Sequence, residues 1–320
     1  MSSIATLPPL TSLGQALSTD ETQFGFIEPS NHLLDDPPAL RARLEEHGYL
    51  YMKNFLDRDD VLRARRSILS RLEKSAILNP DFDLMEGRIH PDLIEHDTDG
   101  RLRSKTSNFR PDLATANAEV EAVVYGPELQ AFYDGLFGEP ALHFDFTWLR
   151  FIGPGHGTSA HCDLVYMSRG SHDLLTCWVP YGEIPLEVGG LIILEKSHLQ
   201  SERIKGYLDK DVDDYCQNDP EQVRKVKEEG GWSIPGYLSK RPDTLPEKFG
   251  ARWLTCECWE PGDFITFNMT LVHGSLDNCT DRIRISTDVR YQPASQPADE
   301  RWIGANPPGH GTAGKRGRIC

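Results

Sequence analysis

Long hydrophobic runs are missing from this chain. No stretch approaches the roughly 18–20 apolar residues that a membrane-crossing helix needs, so no membrane span is expected. The opening residues, MSSIATLPPLTSLGQALSTDE, have neither a basic leader nor a continuous apolar core, which argues against a secretory signal. Positive charge is also short: 34 Lys and Arg against 49 Asp and Glu leave a net charge of −15. A surface of that sign repels phosphate backbones and speaks against nucleic-acid binding, while one local basic pocket could still hold a small anion. Cysteine is sparse. The seven present are an odd number scattered through 320 residues, so no disulfide framework is expected and a reducing cytoplasm fits best. Internal repeats and interdomain linkers are absent as well.

What remains is an ordinary globular balance that places one domain over 37–292, between an N-terminal arm at 1–36 and a C-terminal tail at 293–320. The arm reads as partly ordered, and the tail, rich in glycine and ending in basic residues, as a loose end. Residues 37–140 form a helical front. Pro37-Pro38 open a helix carrying Leu40 and Leu44, and Gly48 closes it. Tyr49 to Met52 read as a short strand. Asp57 and Asp59-Asp60 cap a second helix with an apolar stripe of Val61, Leu62, Ile68, Leu69 and Leu72. A third helix is expected from Thr115 to Phe137, stopped by Gly138.

After Pro140 the pattern changes to short apolar runs between turn residues, at 142–152, 174–179, 189–194, 263–268 and 283–291. Such runs predict a mainly β core over 141–292, a sandwich or barrel with helical support. The polar segment 200–250 interrupts them. It is expected to pass over one mouth of the barrel like a lid, with a short helix at 219–229.

Residues 159–163 read Ser-Ala-His-Cys-Asp. On a strand, positions i and i+2 share a face, so His161 and Asp163 reach one ion together while Cys162 points away. His273, after the apolar run Phe264 to Phe267, is the best third ligand. Two histidines and a carboxylate on one face of an octahedron are the arrangement of non-haem Fe(II) oxygenases, with three positions left open. A lone His-x-Asp seldom binds metal, and a histidine before Gly-Ser is more often a turn or core residue. The order along the chain is what favours a site: His-x-Asp, a later His, then the basic run Arg282-Ile283-Arg284-Ile285-Ser286. A buried arginine is costly unless paired with an anion, and its guanidinium matches a carboxylate with two parallel hydrogen bonds. An inward arginine beside a metal therefore suggests a carboxylate cosubstrate, whereas an exposed one on an edge strand would have no such role.

With these residues in place, the sequence resembles the phytanoyl-CoA dioxygenase family of Fe(II)- and 2-oxoglutarate-dependent oxygenases, over about residues 40–292. The likeness is carried by His47-Gly48-Tyr49 through Asn54-Phe55-Leu56, His161-Cys162-Asp163, Cys177-Trp178-Val179-Pro180 and Glu187-Val188-Gly189-Gly190-Leu191. It continues in Glu195-Lys196-Ser197-His198, His273-Gly274-Ser275 and Arg284. The resemblance implies a double-stranded β-helix, a cupin-like jelly-roll barrel. It implies Fe(II) on His161, Asp163 and His273. Arg284, eleven residues after His273, would grip the distal carboxylate of 2-oxoglutarate with Ser275 as hydroxyl partner. Trp178 would lie beside the cosubstrate and Lys105 would be a further contact.

The reaction implied is hydroxylation of an unactivated C–H bond in a small-molecule metabolite, with O2 consumed and succinate and CO2 released. Asp163 fills the place that halogenating relatives leave free for chloride, so halogenation is not expected, while desaturation, epoxidation and cyclisation share the same oxidant. Nothing marks a CoA-sized substrate. Substrate-side candidates are Tyr166 and Arg169, with His156, which reads more safely as a solvent-facing loop residue, and Trp232, which could equally pin the 200–250 excursion to the barrel, as further ones. Two other readings stay open: a cupin-like metalloenzyme that does not use 2-oxoglutarate, and a non-catalytic β-barrel binding module. Cys256 and Cys258 share a strand face but have no second pair at zinc spacing.

Overall fold

The computed structural model describes residues 7–106 and 108–320. Asp36 accepts a hydrogen bond from the Ala39 N–H, and Pro37 takes the first position of the helix Pro37–His47, where its missing N–H costs nothing. Gly48, at φ 79°, ends that helix. Asp57 caps Arg58–Glu73 by accepting from the Asp59 and Asp60 N–H groups, and Val61, Ile68, Leu69 and Leu72 bury its apolar stripe. The helix expected over 115–137 is instead two, Ala118–Val124 and Pro127–Phe137. Pro127 has no N–H with which to continue the first and starts the second, and Gly126 passes so close to the Ala122 carbonyl that a Cβ there would collide with it.

The strands do not build the expected double-stranded β-helix or jelly-roll barrel. The fold is a mixed α/β arrangement of several open sheets. The largest runs, in spatial order, Tyr49–Met52, Phe264–Asn268, Leu175–Pro180, Arg284–Pro293, Trp148–Ile152 and Asn108–Phe109, with Ala141–His143 also paired to Arg284–Pro293. A second sheet runs His273–Ser275, Leu191–Leu194, Trp253–Thr255 and Phe24–Phe26. Among the described residues the two share no strand and neither closes on itself. The cause lies at the edges. Tyr49–Met52 and Asn108–Phe109 come from the helical front and Phe24–Phe26 from the N-terminal arm, and they occupy the edge hydrogen bonds through which a barrel would close.

The strand Arg284–Pro293 sits near the centre of the large sheet and divides the interior. Ile285, Val289 and Tyr291 face the helices, in a core shared with Ile68, Leu69, Tyr133 and Leu149. The alternate residues Arg284, Ser286, Asp288, Arg290 and Gln292 face the opposite way, and each is no more than 4% exposed. On that same side Trp178, Ile265 and Phe267 pack against Leu191, Ile193 and Leu254 of the second sheet. A row of buried polar groups thus runs between two sheets that otherwise meet through apolar side chains.

The excursion carries the helix Pro220–Lys227 where 219–229 was expected, and its strand Asp214–Cys216 pairs in parallel with Arg316–Arg318. The tail is therefore not a loose end. Arg301 and Trp302 are buried, and the Asp213 carboxylate accepts from Arg301 at 2.6 Å and from His310 and Lys315 at 2.7 Å each. Cys216 is bonded to Cys320, while Cys162, Cys177, Cys256, Cys258 and Cys279 are free. No helix among the described residues is long and apolar enough to cross a membrane.

Candidate metal centre and its chamber

His161 does not lie on a full strand. It forms a single antiparallel bridge with His273, closed by two backbone hydrogen bonds of 2.9 Å, so residues 112 positions apart are fixed side by side. Cys162 keeps extended backbone, at φ −115° and ψ 142°, and Asp163 then opens the short turn Asp163–Val165. That one extended residue suffices for the i, i+2 geometry. Asp163 comes round to the side of His161, and the Cys162 thiol points away to the Thr270 carbonyl at 3.3 Å.

The three side chains converge. Asp163 Oδ1 lies 3.5 Å from His161 Nε2 and 3.6 Å from His273 Nε2, and all three donor atoms fall within 4.8 Å of one another. Each imidazole is turned by a main-chain acceptor: His161 Nδ1 donates to the Ser159 carbonyl at 2.7 Å and His273 Nδ1 to the Leu271 carbonyl at 3.0 Å. A carbonyl can only accept, so the proton sits on Nδ1 and the Nε2 lone pair is left for an ion. Burial, and then the neighbouring His161, push His273 down to about 4, which keeps it neutral and ready to ligate. The other carboxylate oxygen, Asp163 Oδ2, accepts from the Thr176 hydroxyl and from Arg290 at 2.9 Å. Burial alone would raise the Asp163 carboxyl, but Arg290 and His273 hold it well below the usual carboxylate range. A donor set of two neutral imidazoles and one oriented carboxylate fits Fe(II) with open positions.

The cosubstrate side also fits. Arg284 is 2% exposed and donates to the Gly189 carbonyl at 2.7 Å, while its Nε meets no hydrogen-bond partner among the described residues. Ser286 Oγ, two residues on and on the same face, is buried and equally unpartnered there. Burial and the nearby Arg150 guanidinium lower Arg284 to about 9, an unfavourable setting that a carboxylate would relieve. Ser275 is buried and accepts from the Thr158 N–H at 2.8 Å.

A chamber of about 210 Å³ opens above His161 and Asp163, walled by Phe109, Trp148, Arg150, Tyr166, Trp232 and His310 among others. Tyr166 stands edge-on to His161 with ring centroids 5.6 Å apart, and Trp232 packs on Tyr166 at 5.2 Å. The excursion, through Trp232, and the tail, through His310, therefore both line this mouth. Trp178 is buried against Trp259, with centroids 4.9 Å apart, on the inward side of its strand.

Three expected contacts are placed elsewhere. Lys105 is about half exposed and pairs with Glu95 at 2.9 Å on the surface. Arg169 turns into the tail cluster, donating to Asp211 and to the Gly314 carbonyl at 2.9 Å each. His156 is tied to the Ser104 carbonyl at 2.9 Å and is not part of the chamber wall. In their place stand Arg150, Thr176 and Arg290, which sequence reasoning passed over. For Arg290 the signal was present in RISTDVRYQP, whose every second residue is polar from Arg284 to Gln292, whereas Arg150 and Thr176 are single polar residues in the apolar strands WLRFI and LTCWVP.

The model of the family described as phytanoyl-CoA dioxygenase (PhyH) matches residues 44–286, and the chain belongs to that family. It is an Fe(II)- and 2-oxoglutarate-dependent oxygenase. Among curated proteins it is similar to two 1-deoxypentalenic acid 11-beta-hydroxylases. That of Streptomyces exfoliatus is 25% identical over 284 residues and that of Streptomyces arenae 26% over 275, each match covering 82% of this chain and 83% of the relative. Among solved structures it resembles in fold the non-haem carbocyclase SnoK from nogalamycin biosynthesis (TM-score 0.56, 16% identity, 89% of this chain and 93% of that one). It also resembles EctD from S. alaskensis with 2-oxoglutarate and 5-hydroxyectoine (TM-score 0.52, 16% identity, 93% and 95%).

Proposed function

We propose that this oxygenase hydroxylates a small-molecule metabolite at an unactivated C–H bond, with Fe(II) on His161, Asp163 and His273 and with 2-oxoglutarate anchored by Arg284. The observation that carries this reading is the meeting of three metal donors within 4.8 Å, two of them at the floor of an open-mouthed chamber. Bound iron and 2-oxoglutarate supply the oxidising power, with O2 consumed and succinate and CO2 released. The chain's own part is orientation. Thr176 and Arg290 fix the outer oxygen of Asp163, so that only Oδ1 turns to the ion. Arg284 receives the distal carboxylate, with the hydroxyls of Ser286 and Ser275 beside it, and Trp178 lines the same interior. Tyr166 and Trp232 hold the substrate and help exclude water.

A chamber of about 210 Å³ suits a compact metabolite better than a CoA thioester. The curated relatives, named as hydroxylases of 1-deoxypentalenic acid, support hydroxylation over the other oxidations open to this chemistry. Residues 37–292 carry the catalytic side chains, and the docked tail adds His310 to the chamber wall. The enzyme works in the cytoplasm, a placement supported by its use of a central metabolite as cosubstrate.

The test is anaerobic loading with Fe(II) and 2-oxoglutarate, followed by O2 exposure with a metabolite panel. One iron per chain, and succinate release stimulated by a compact metabolite, are expected. Protein that takes up no stoichiometric iron, or releases no succinate, would overturn the proposal.

A further inference from the structure

Three guanidinium groups, Arg150, Arg284 and Arg290, gather on the inner face of the large sheet around two carboxylates, Asp163 and Asp288. On the reading above, iron adds two positive charges and 2-oxoglutarate two negative ones, so loading leaves the balance unchanged. One positive charge is uncompensated in either state. Buried charge without a partner is costly, so the surplus calls for an anion.

Arg150 is the place where the surplus can be met. It sits on Trp148–Ile152, directly across from Ser286. Its Nε donates to Asp288 at 2.6 Å, and its two terminal nitrogens have no hydrogen-bond partner among the described residues. Arg290 is committed to Asp163, and Arg284 is fully enclosed outside the chamber wall. Arg150 alone of the three combines a free guanidinium end with a place in that wall, and its side chain keeps 25% accessibility. The surfaces beside it are the rings of Trp148, Tyr166 and Trp232.

We infer that the substrate is an apolar-bodied carboxylate that sets its charged group on the free end of Arg150 and its body against these rings, with Arg150 deciding specificity. This rests on the proposed function for the identity of the cosubstrate. The geometry matches carboxylate recognition, since two adjacent guanidinium nitrogens offer parallel hydrogen bonds to both oxygens.

The test compares two probes of one shape, naphthalene-2-carboxylate and naphthalene-2-carboxamide, titrated into anaerobic protein loaded with Fe(II) and 2-oxoglutarate. Quenching of tryptophan emission reads the binding, because Trp148 and Trp232 line the chamber. The acid is expected to bind about tenfold more tightly than the amide, as for loss of a charge-assisted hydrogen bond. Arg150→Gln should erase that preference and Arg150→Lys should keep part of it. Equal affinity in the unaltered enzyme overturns the inference, and that comparison needs no variant to fold. A 2-oxoglutarate affinity reduced in Arg150→Gln as much as in Arg284→Gln also overturns it, by giving Arg150 to the cosubstrate. The same pair of probes is titrated into protein without iron and 2-oxoglutarate, where the arginine surplus is identical. Failure to load would thus count against the proposed function, while loss of the acid preference in Arg150→Gln but not in Arg284→Gln still decides this inference.

Discussion

The Arg301–Asp213 centre of the tail cluster and the inner face of the Arg284–Pro293 strand both bury several charges, and they treat their hydrogen bonds in opposite ways. In the tail cluster every nitrogen of Arg301 is engaged. Nε meets Asp299 at 2.9 Å, one terminal nitrogen meets Asp213 at 2.6 Å, and the other meets the Tyr166 carbonyl at 3.3 Å as well as Asp299. Asp213 in turn accepts from three side chains. On the inner face, Arg284 Nε, Ser286 Oγ, Arg290 Nε and Gln292 Oε1 are buried without partners among the described residues. An unmade buried hydrogen bond costs about 1–3 kcal/mol. A chain keeps several together where something other than protein completes them. The saturated Arg301–Asp213 centre is a fastening, with Arg169 and Trp302 at its margin each keeping one nitrogen unpartnered among the described residues, and the unsaturated inner face is a prepared receptacle.

Breaking the receptacle at the metal should give the largest effect. Asp163→Ala removes a ligand and leaves Arg290 buried without its carboxylate. Succinate formation should fall to background and iron stoichiometry towards zero, measured by metal analysis after anaerobic loading. Retained iron and turnover would move the metal away from His161 and His273. Breaking the fastening should do the reverse. Asp213→Ala strands Arg301 and Lys315, and removing one partner of a buried pair costs about 3–5 kcal/mol. Denaturant unfolding should show that loss, while the folded protein still takes up Fe(II). A variant that lost iron yet kept its stability would mean that the clusters do not divide the work in this way.

Arg284→Gln falls between the two. A charge-assisted pair is worth about 1.5–3 kcal/mol, roughly a 10- to 100-fold weakening of 2-oxoglutarate binding. Iron affinity should stay unchanged, since Arg284 touches none of the three ligands. Equal 2-oxoglutarate affinity in the variant would assign the distal carboxylate to another cation.

The same contrast explains what the sequence disclosed. His161, Asp163 and His273 were legible because a one-residue extended step fixes the first pair, and the buried placement of Arg284 because isoleucines flank it on the strand. The first two helices were legible from Asp36, Asp57 and Gly48, which act within a few residues of themselves. Barrel closure was misjudged because it depends on which strands take the sheet edges, and Phe24–Phe26 and Asn108–Phe109 are too short to announce themselves. The tail was misread for a similar reason. Its anchor, Asp213, lies about a hundred residues from His310 and Lys315, and glycine content says nothing about partners so remote. Arg169 stands close to Asp163 in sequence and looked like a substrate contact, yet Asp211 and the docked tail claim it.

Acid should give the smallest effect and the finest comparison. Burial alone would raise the Asp213 carboxyl, but His310 and Lys315 outweigh it and hold the group at about 2. Its value in the unfolded chain is near 3.8. Between those values the unfolded chain binds the proton more readily than the folded one, so stability falls as pH falls. The contribution of Asp213 is therefore complete above the ordinary carboxylate range and disappears as pH drops through about 2. Denaturant unfolding measured at steps from pH 5 to pH 3 should show a loss that grows toward the acid end. Asp213→Asn cannot titrate there. It should begin less stable and lose less over the same steps, so the two curves converge at low pH. Parallel curves would mean that Asp213 is not held below its ordinary value, and the tail would then owe its docking to Trp302 and its apolar neighbours instead.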